Sequence, residues 1–131
     1  MTTPIPRFQS GNRAVSGDQL NALVDAINAL KVIDNPATAY TFAMTDAVDT
    51  YQNFTSGSAV AVTVPNSKNV PFPIGTQINF EQGGAGQITV AGDTGVTVNA
   101  TPGLKSSAQF AVLCLVKKAL NVWTLTGSLS A

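Results

Sequence analysis

Any chemistry in this chain would have to come from six aspartates and Glu81, because its 131 residues include no histidine and a single cysteine, Cys114. Without histidine a Ser/His/Asp or Cys/His nucleophile has no base, and zinc sites built on imidazole are excluded. General acid–base work by paired carboxylates is the remaining route. Asp18 and Asp25 fall on a predicted helix and Asp34 at its end, where they read as solvated or helix-terminal residues. Asp46 and Asp49 flank Ala47-Val48 between two predicted strands, and a calcium ion or a sugar hydroxyl is conceivable there. The regular alternation of oxygen ligands in a calcium loop is missing, however, and aspartate in such a position bonds the nearby backbone in a turn.

Three further features invite a functional reading and have a plainer one. The cluster Gly83-Gly84-Ala85-Gly86 resembles a phosphate loop only in its glycines. It lacks the lysine and the following helix that would surround an anion with N–H groups, and it reads as a hairpin loop. Tyr40, Tyr51 and Trp123 have the stacking surface to bind sugars, yet at strand spacing they read as core. Cys114 sits among apolar neighbours that would raise its thiol pKa, and it also reads as core. The expectation is a protein that is not an enzyme, with no catalytic residue, cofactor, metal or small-molecule substrate.

The length fits one domain. Hydrophobic residues make up 44% of the chain and charged ones only 11%, an uncharged composition that suggests surface covered by partners. Seven basic and seven acidic residues cancel, and the basic ones are scattered except for Lys117-Lys118, so neither DNA nor RNA is an expected partner. The first eight residues hold no apolar signal-like stretch, and the run from Phe110 to Val116 is too short to span a bilayer. No membrane association is expected.

Three segments follow from the pattern: an extended arm over 1–15, an amphipathic helix over 16–33 and a β domain over 34–131. The arm carries Ile5, Arg7, Phe8 and Arg13, an apolar anchor between charges with no periodicity of its own. Ser16 can cap a helix, with Gln19 completing a capping box and Val15 with Leu20 a hydrophobic staple. The helix is predicted from Gly17 to about Lys31, ended by Asp34-Asn35-Pro36. Its apolar positions Leu20, Leu23, Ile27 and Leu30, widened by Val24, form either a short seam between copies or a face packed on the chain's own β domain.

Alternation beyond Pro36 predicts strands: Tyr40, Phe42, Met44; Val60, Val62, Val64; Ile78, Phe80; Ile88, Val90; Val96, Val98; and Trp123, Leu125. With Gly83–Gly86 and Gly92-Asp93-Thr94-Gly95 as reversals, the fold class is mainly β, with the strands in an antiparallel sandwich or jelly-roll-like domain. In Phe110 to Val116 both alternating faces are apolar. One face can fill the core; the other needs a cover, which favours a homo-oligomer.

The stretch Val70-Pro71-Phe72-Pro73-Ile74-Gly75-Thr76-Gln77-Ile78, then Gln82-Gly83-Gly84-Ala85-Gly86-Gln87-Ile88-Thr89-Val90, Gly95-Val96-Thr97-Val98-Asn99 and Asn121-Val122-Trp123-Thr124-Leu125, resembles a β module of tailed-bacteriophage virion proteins. The likeness covers roughly residues 39 to 131. In that family the module occurs in capsid decoration or head-fibre proteins and in tail fibres or other appendages, commonly as trimers, with no shared catalytic residues. The resemblance implies a virion protein made in the host cytoplasm. A helix of about 22 Å is short for a fibre, and a knob on the capsid surface suits the chain better. In that arrangement Ile5, Arg7, Phe8 and Arg13 attach it to the major capsid protein as a cement, while Leu20, Leu23, Val24, Ile27 and Leu30 gather a homotrimer. The alternative is a tail-fibre or receptor-binding module that recognises host surface glycan.

Overall fold

The computed structural model describes residues 29–131. They form eleven strands and one short 3-10 helix. In chain order these are β1 Lys31–Asn35, β2 Ala39–Thr41, the 3-10 helix Met44–Ala47, β3 Thr50–Phe54, β4 Val60–Val64, β5 Gln77–Gln82 and β6 Ile88–Gly92. There follow β7 Thr97–Asn99, β8 Lys105–Ser106, β9 Val112–Ala119, β10 Val122–Gly127 and β11 Leu129–Ser130. The fold is mainly β, in two sheets: a six-stranded sheet ordered β1-β3-β5-β9-β10-β7 and a five-stranded one ordered β11-β8-β6-β4-β2.

The strands do not pair as an antiparallel jelly roll. β1, β3 and β5 run parallel in the first sheet, and β2, β4 and β6 run parallel in the second. The chain therefore climbs in three stacked rungs, each supplying one strand to either sheet. Parallel neighbours need a long crossover, and here each crossover is the strand of the opposite sheet plus its connections. Alternation of side chains marks a strand but says nothing of its direction, and the glycine signals serve corners between sheets as readily as hairpins. Only after the third rung does the chain turn antiparallel, when β9 docks on β5 and β10 folds back on β9. Asn121 takes a left-handed conformation (φ 55°) in that turn, and a bulge follows at Val122/Trp123.

The parity expected of the central strands holds. Phe54, Val60, Val62, Val64, Ile78, Phe80, Ile88, Val90, Leu113, Leu115, Trp123 and Leu125 are buried between the sheets. Phe42 and Phe80 lie at 5.1 Å between ring centroids, and Phe54 meets Phe80 edge-on at 6.2 Å. Phe72 packs edge-on against Trp123 at 5.4 Å. Gly75 takes φ 94° in the bend that follows Pro71 and Pro73 and leads into β5, as that stretch requires.

At the start of the described chain the helical expectation fails. Lys31, Val32 and Ile33, assigned by periodicity to the segment 16–33, belong to β1, and Leu30 precedes that strand as an exposed, non-helical residue. Pairing of Lys31 through Asn35 with Thr50 through Phe54 supplies a strand partner that outweighs the helical spacing, and Lys31 N donates to Asp49 O at 2.6 Å. Pro36 thus closes a strand rather than a helix. Asn35 Oδ1 accepts from Ala37 N at 3.0 Å and turns the first corner.

Candidate functional site

Where carboxylate chemistry was conceivable, the geometry is saturated. Asp46 is buried; its Oδ2 accepts from the Tyr40 hydroxyl and from Ala43 N, both at 2.7 Å, and its Oδ1 accepts from Gln52 Nε2 at 2.8 Å. Asn35 Nδ2 donates to Gln52 Oε1 at 3.2 Å and extends this network. The Tyr40 hydroxyl is held protonated well above its ordinary range, first by burial and then by its hydrogen bond to Asp46. Each polar atom of Asp46 has a protein partner, so the turn expected there is a buried polar clamp between rungs. Asp49 is exposed at φ 47°. Among the described residues no group of three or more histidine, cysteine, aspartate or glutamate side chains is placed to hold a metal ion.

The glycine cluster is a corner, not a hairpin, because β5 and β6 lie in different sheets. Its backbone stacks on the corner of the rung before: Gly83 N and Gly84 N donate to Phe54 O at 2.8 and 2.9 Å, and Gly86 N donates to Ser56 O at 3.0 Å. A Cβ at Gly86 would stand 1.8 Å from Ser58 O, and one at Gly84 2.3 Å from Ser56 O. These glycines exist for rung contact rather than for a phosphate. Below them Ser106 Oγ donates to Gln82 Oε1 at 2.5 Å and accepts from Ile88 N at 2.8 Å, a second buried polar tie.

The four aromatic and thiol assignments divide. Trp123 is core and Tyr40 is half-buried against Phe42 and Phe54. Tyr51 is not core: it faces outward from β3, half-buried, and donates to Glu81 Oε1 at 2.8 Å. Its pKa is pushed up to about 12, by burial first and then by that bond. Cys114 likewise points out of β9, since Leu113 and Leu115 on either side point in, and it is half-buried. Burial pushes its thiol pKa up.

The inward parity of β9 brings a residue that sequence reasoning missed. Lys117 follows Leu113 and Leu115 into the interior, is 3% exposed, and donates from Nζ to Phe72 O at 2.7 Å and Ser67 Oγ at 2.8 Å. It pins the loop before β5 over the Trp123 end of the core. The i, i+2, i+4 spacing was the available signal.

The outward parity of β9 gives the candidate site. Val112, Cys114 and Val116 form a row along the middle of the six-stranded sheet. Register sets Asn79 and Thr126 beside Cys114, Glu81 beside Val112, and Gln77 and Thr124 beside Val116. At the Val112 end stands Phe110, 67% exposed, with φ 71°. A bulky side chain in the left-handed region is strained, and it is fixed by Phe110 N donating to Gln82 O at 2.6 Å and by the Ala108 to Ala111 turn. The face is therefore an apolar row with an aromatic end, bordered by amides, hydroxyls and one carboxylate, Glu81, which accepts from the Tyr51 hydroxyl. Beside it, Asn99, Thr101, Lys118, Thr124 and Thr126 line an open groove of about 510 Å³ with no aromatic platform.

Ile5, Arg7, Phe8 and Arg13, and Leu20, Leu23, Val24 and Ile27, lie outside the described residues; Leu30 alone of the expected seam is described, and it is exposed. No family model, no curated protein and no solved structure matches the chain.

Proposed function

We propose that this chain is a non-enzymatic structural protein of a tailed-phage virion, a decoration protein that assembles as a homotrimer on the capsid surface and cements the major capsid protein. The observation that carries the assembly half is the outer row Val112, Cys114, Val116 with Phe110, an apolar strip on a sheet face that the described part of the chain leaves open. The virion half rests on the resemblance over residues 39 to 131. The trimer contact is drawn across this β face, and attachment runs through the arm with Ile5, Arg7, Phe8 and Arg13. A ligand that binds only the assembled shell stabilises it by mass action.

The receptor-binding alternative calls for an aromatic and carboxylate cluster at one end of the molecule, and the groove beside β10 offers hydroxyls, an amide and one ammonium instead. Two measurements test the proposal. Light scattering on the purified chain should give a trimer, and Val112→Asp should shift it towards monomer by placing a charge in the buried row. Mass-spectrometric stoichiometry on purified particles should give an abundance within a small factor of the coat protein. A monodisperse monomer at high micromolar concentration, or only a handful of copies per particle, would overturn it.

A further inference from the structure

The turn between β8 and β9 holds an aromatic side chain out of the molecule. Phe110 is 67% exposed, and its φ of 71° lies where a bulky residue is strained. The turn is nevertheless tied down on both sides. Ser107 N donates to Ser128 O at 3.0 Å, Gln109 Nε2 to Gly83 O at 3.1 Å and Phe110 N to Gln82 O at 2.6 Å. A ring kept exposed despite backbone strain, on a support this firmly bonded, has the properties of a pre-organised binding anchor.

The same sheet carries a recess that fits it. The open groove of about 510 Å³ is lined by Ala100, Thr124, Leu125, Thr126 and Gly127 among others, and Lys118 is the one charged residue in its lining. It has room for a phenyl ring, holds no ring of its own, and offers an ammonium to an aromatic face. Phe110 does not reach it within one chain. Its N–H is bonded on the β5 side of β9, whereas the groove lies on the other side of β9, at β10 and just beyond β7. β5 and β10 are two inter-strand spacings apart, about 10 Å, more than a phenylalanine side chain spans. An aromatic occupant of the groove comes from another molecule.

Charge selects how two copies meet. Glu81 pairs with Val112 close to Phe110, and its Oε1 accepts from the Tyr51 hydroxyl at 2.8 Å, so the ring stands beside a carboxylate. The groove stands beside an ammonium. Ring on groove brings opposite charges together, while ring on ring or groove on groove brings like charges together.

We propose that each copy of the chain seats Phe110 in the groove of a neighbouring copy, with the ring against Lys118. This rests on the homotrimer reading and names the two halves of its contact. Ring and groove are separate patches, so every copy gives one and receives one, the head-to-tail contact from which closed rings are built.

Sedimentation of the full chain tests it. The wild-type chain should run as a trimer, and Phe110→Ala, which removes the ring, and Thr126→Trp, which fills the groove, should each raise the concentration needed for half-assembly at least tenfold. Phe110→Tyr keeps the ring and should stay within threefold. A wild-type trimer indifferent to both Phe110→Ala and Thr126→Trp would overturn the seat, leave the homotrimer reading standing and return the groove to a glycan or the coat protein. A monomeric wild-type chain would overturn both. A second measurement does not depend on weakening the assembly: p-benzoylphenylalanine placed at position 110 is mixed with heavy-nitrogen-labelled wild-type chain and irradiated. The cross-linked peptide should join position 110 to residues 99–101 or 124–127 of the labelled chain. Adducts confined to the same chain, or to another surface of the neighbour, would overturn the proposal.

Discussion

Asp46 shows how a carboxylate without a cation can be kept inside this fold. Three donors converge on it from β2, from the backbone before the 3-10 helix and from β3, so that one side chain ties the first rung to the second. Asp46→Ala would strand the Tyr40 O–H and the Ala43 N–H without an acceptor and leave Gln52 Nε2 only its longer bond to the Tyr40 hydroxyl at 3.3 Å, and it should cost about 3 kcal/mol in denaturant unfolding. The tyrosines give a pH signature. Tyr40 and Tyr51 keep their protons in the folded chain beyond the ordinary value of 10. A group whose folded pKa is raised contributes stability that is complete below its unfolded pKa and lost as pH rises through the folded one. The tyrosines' contribution to stability should thus be flat up to about pH 10 and fall towards pH 12, and Tyr51→Phe should lessen that fall; an unchanged alkaline profile in that variant would remove Tyr51 from the account. Phe110 can be tested through its backbone. Asn tolerates the left-handed region better than Phe, so Phe110→Asn should raise the stability of the dissociated chain by about 1 kcal/mol while weakening self-association.

Among the elements, the corners are more exacting than the strands. Gly84 and Gly86 touch the backbone of the corner beneath them, where the obstructing atoms are carbonyl oxygens that cannot swing aside. Gly86→Ala should therefore cost more than a typical surface substitution, about 2–4 kcal/mol, and calorimetry of the variant would show it as a lowered Tm. In the strands the sequence was a good guide to which side chains point inward: Val60, Val62, Val64, Ile78, Phe80, Trp123 and Leu125 were all legible from their alternation. Strand direction was not, because parity is the same for parallel and antiparallel neighbours. Lys117 and Asp46 were hidden by their type, since charged residues are seldom buried. Their cover comes from Phe72 and Ser67 in one case and from Tyr40 and Gln52 in the other, partners 6 to 50 residues away along the chain. Val32 and Ile33 were misread because two β-branched residues at the end of a helical stripe found a partner strand at Tyr51 and Gln52.

For the whole molecule, the doubly apolar β9 was the most informative stretch of the sequence. Its two faces are now distinct: Leu113 and Leu115 complete the core, and Val112, Cys114 and Val116 look outward. The proposed site thus came half from the sequence, which announced the surplus of apolar side chains, and half from register, which set them beside amides, hydroxyls and the single carboxylate of Glu81 on one sheet. If that face is the trimer contact, deletion of residues 1–15 should leave the oligomer intact and abolish saturation of shells. Full-affinity shell binding by the truncated chain would move attachment to the β domain.

The parallel rungs carry a consequence for how such a chain can change its length. Tyr51 pairs with Asn79 and Val60 with Ile88, and both partners stand 28 residues apart. This step from the second rung to the third is the same in both sheets, whereas the step from the first to the second is 19 residues in one sheet (Lys31 to Thr50) and 22 in the other (Tyr40 to Val62), the connections absorbing the difference. Duplicating 28 residues in frame would add one storey that presents the same corner, the same parity and the same edges to its neighbours. The insertion should fold to a longer cooperative unit, visible as additional protected amides; in this architecture size is counted in turns.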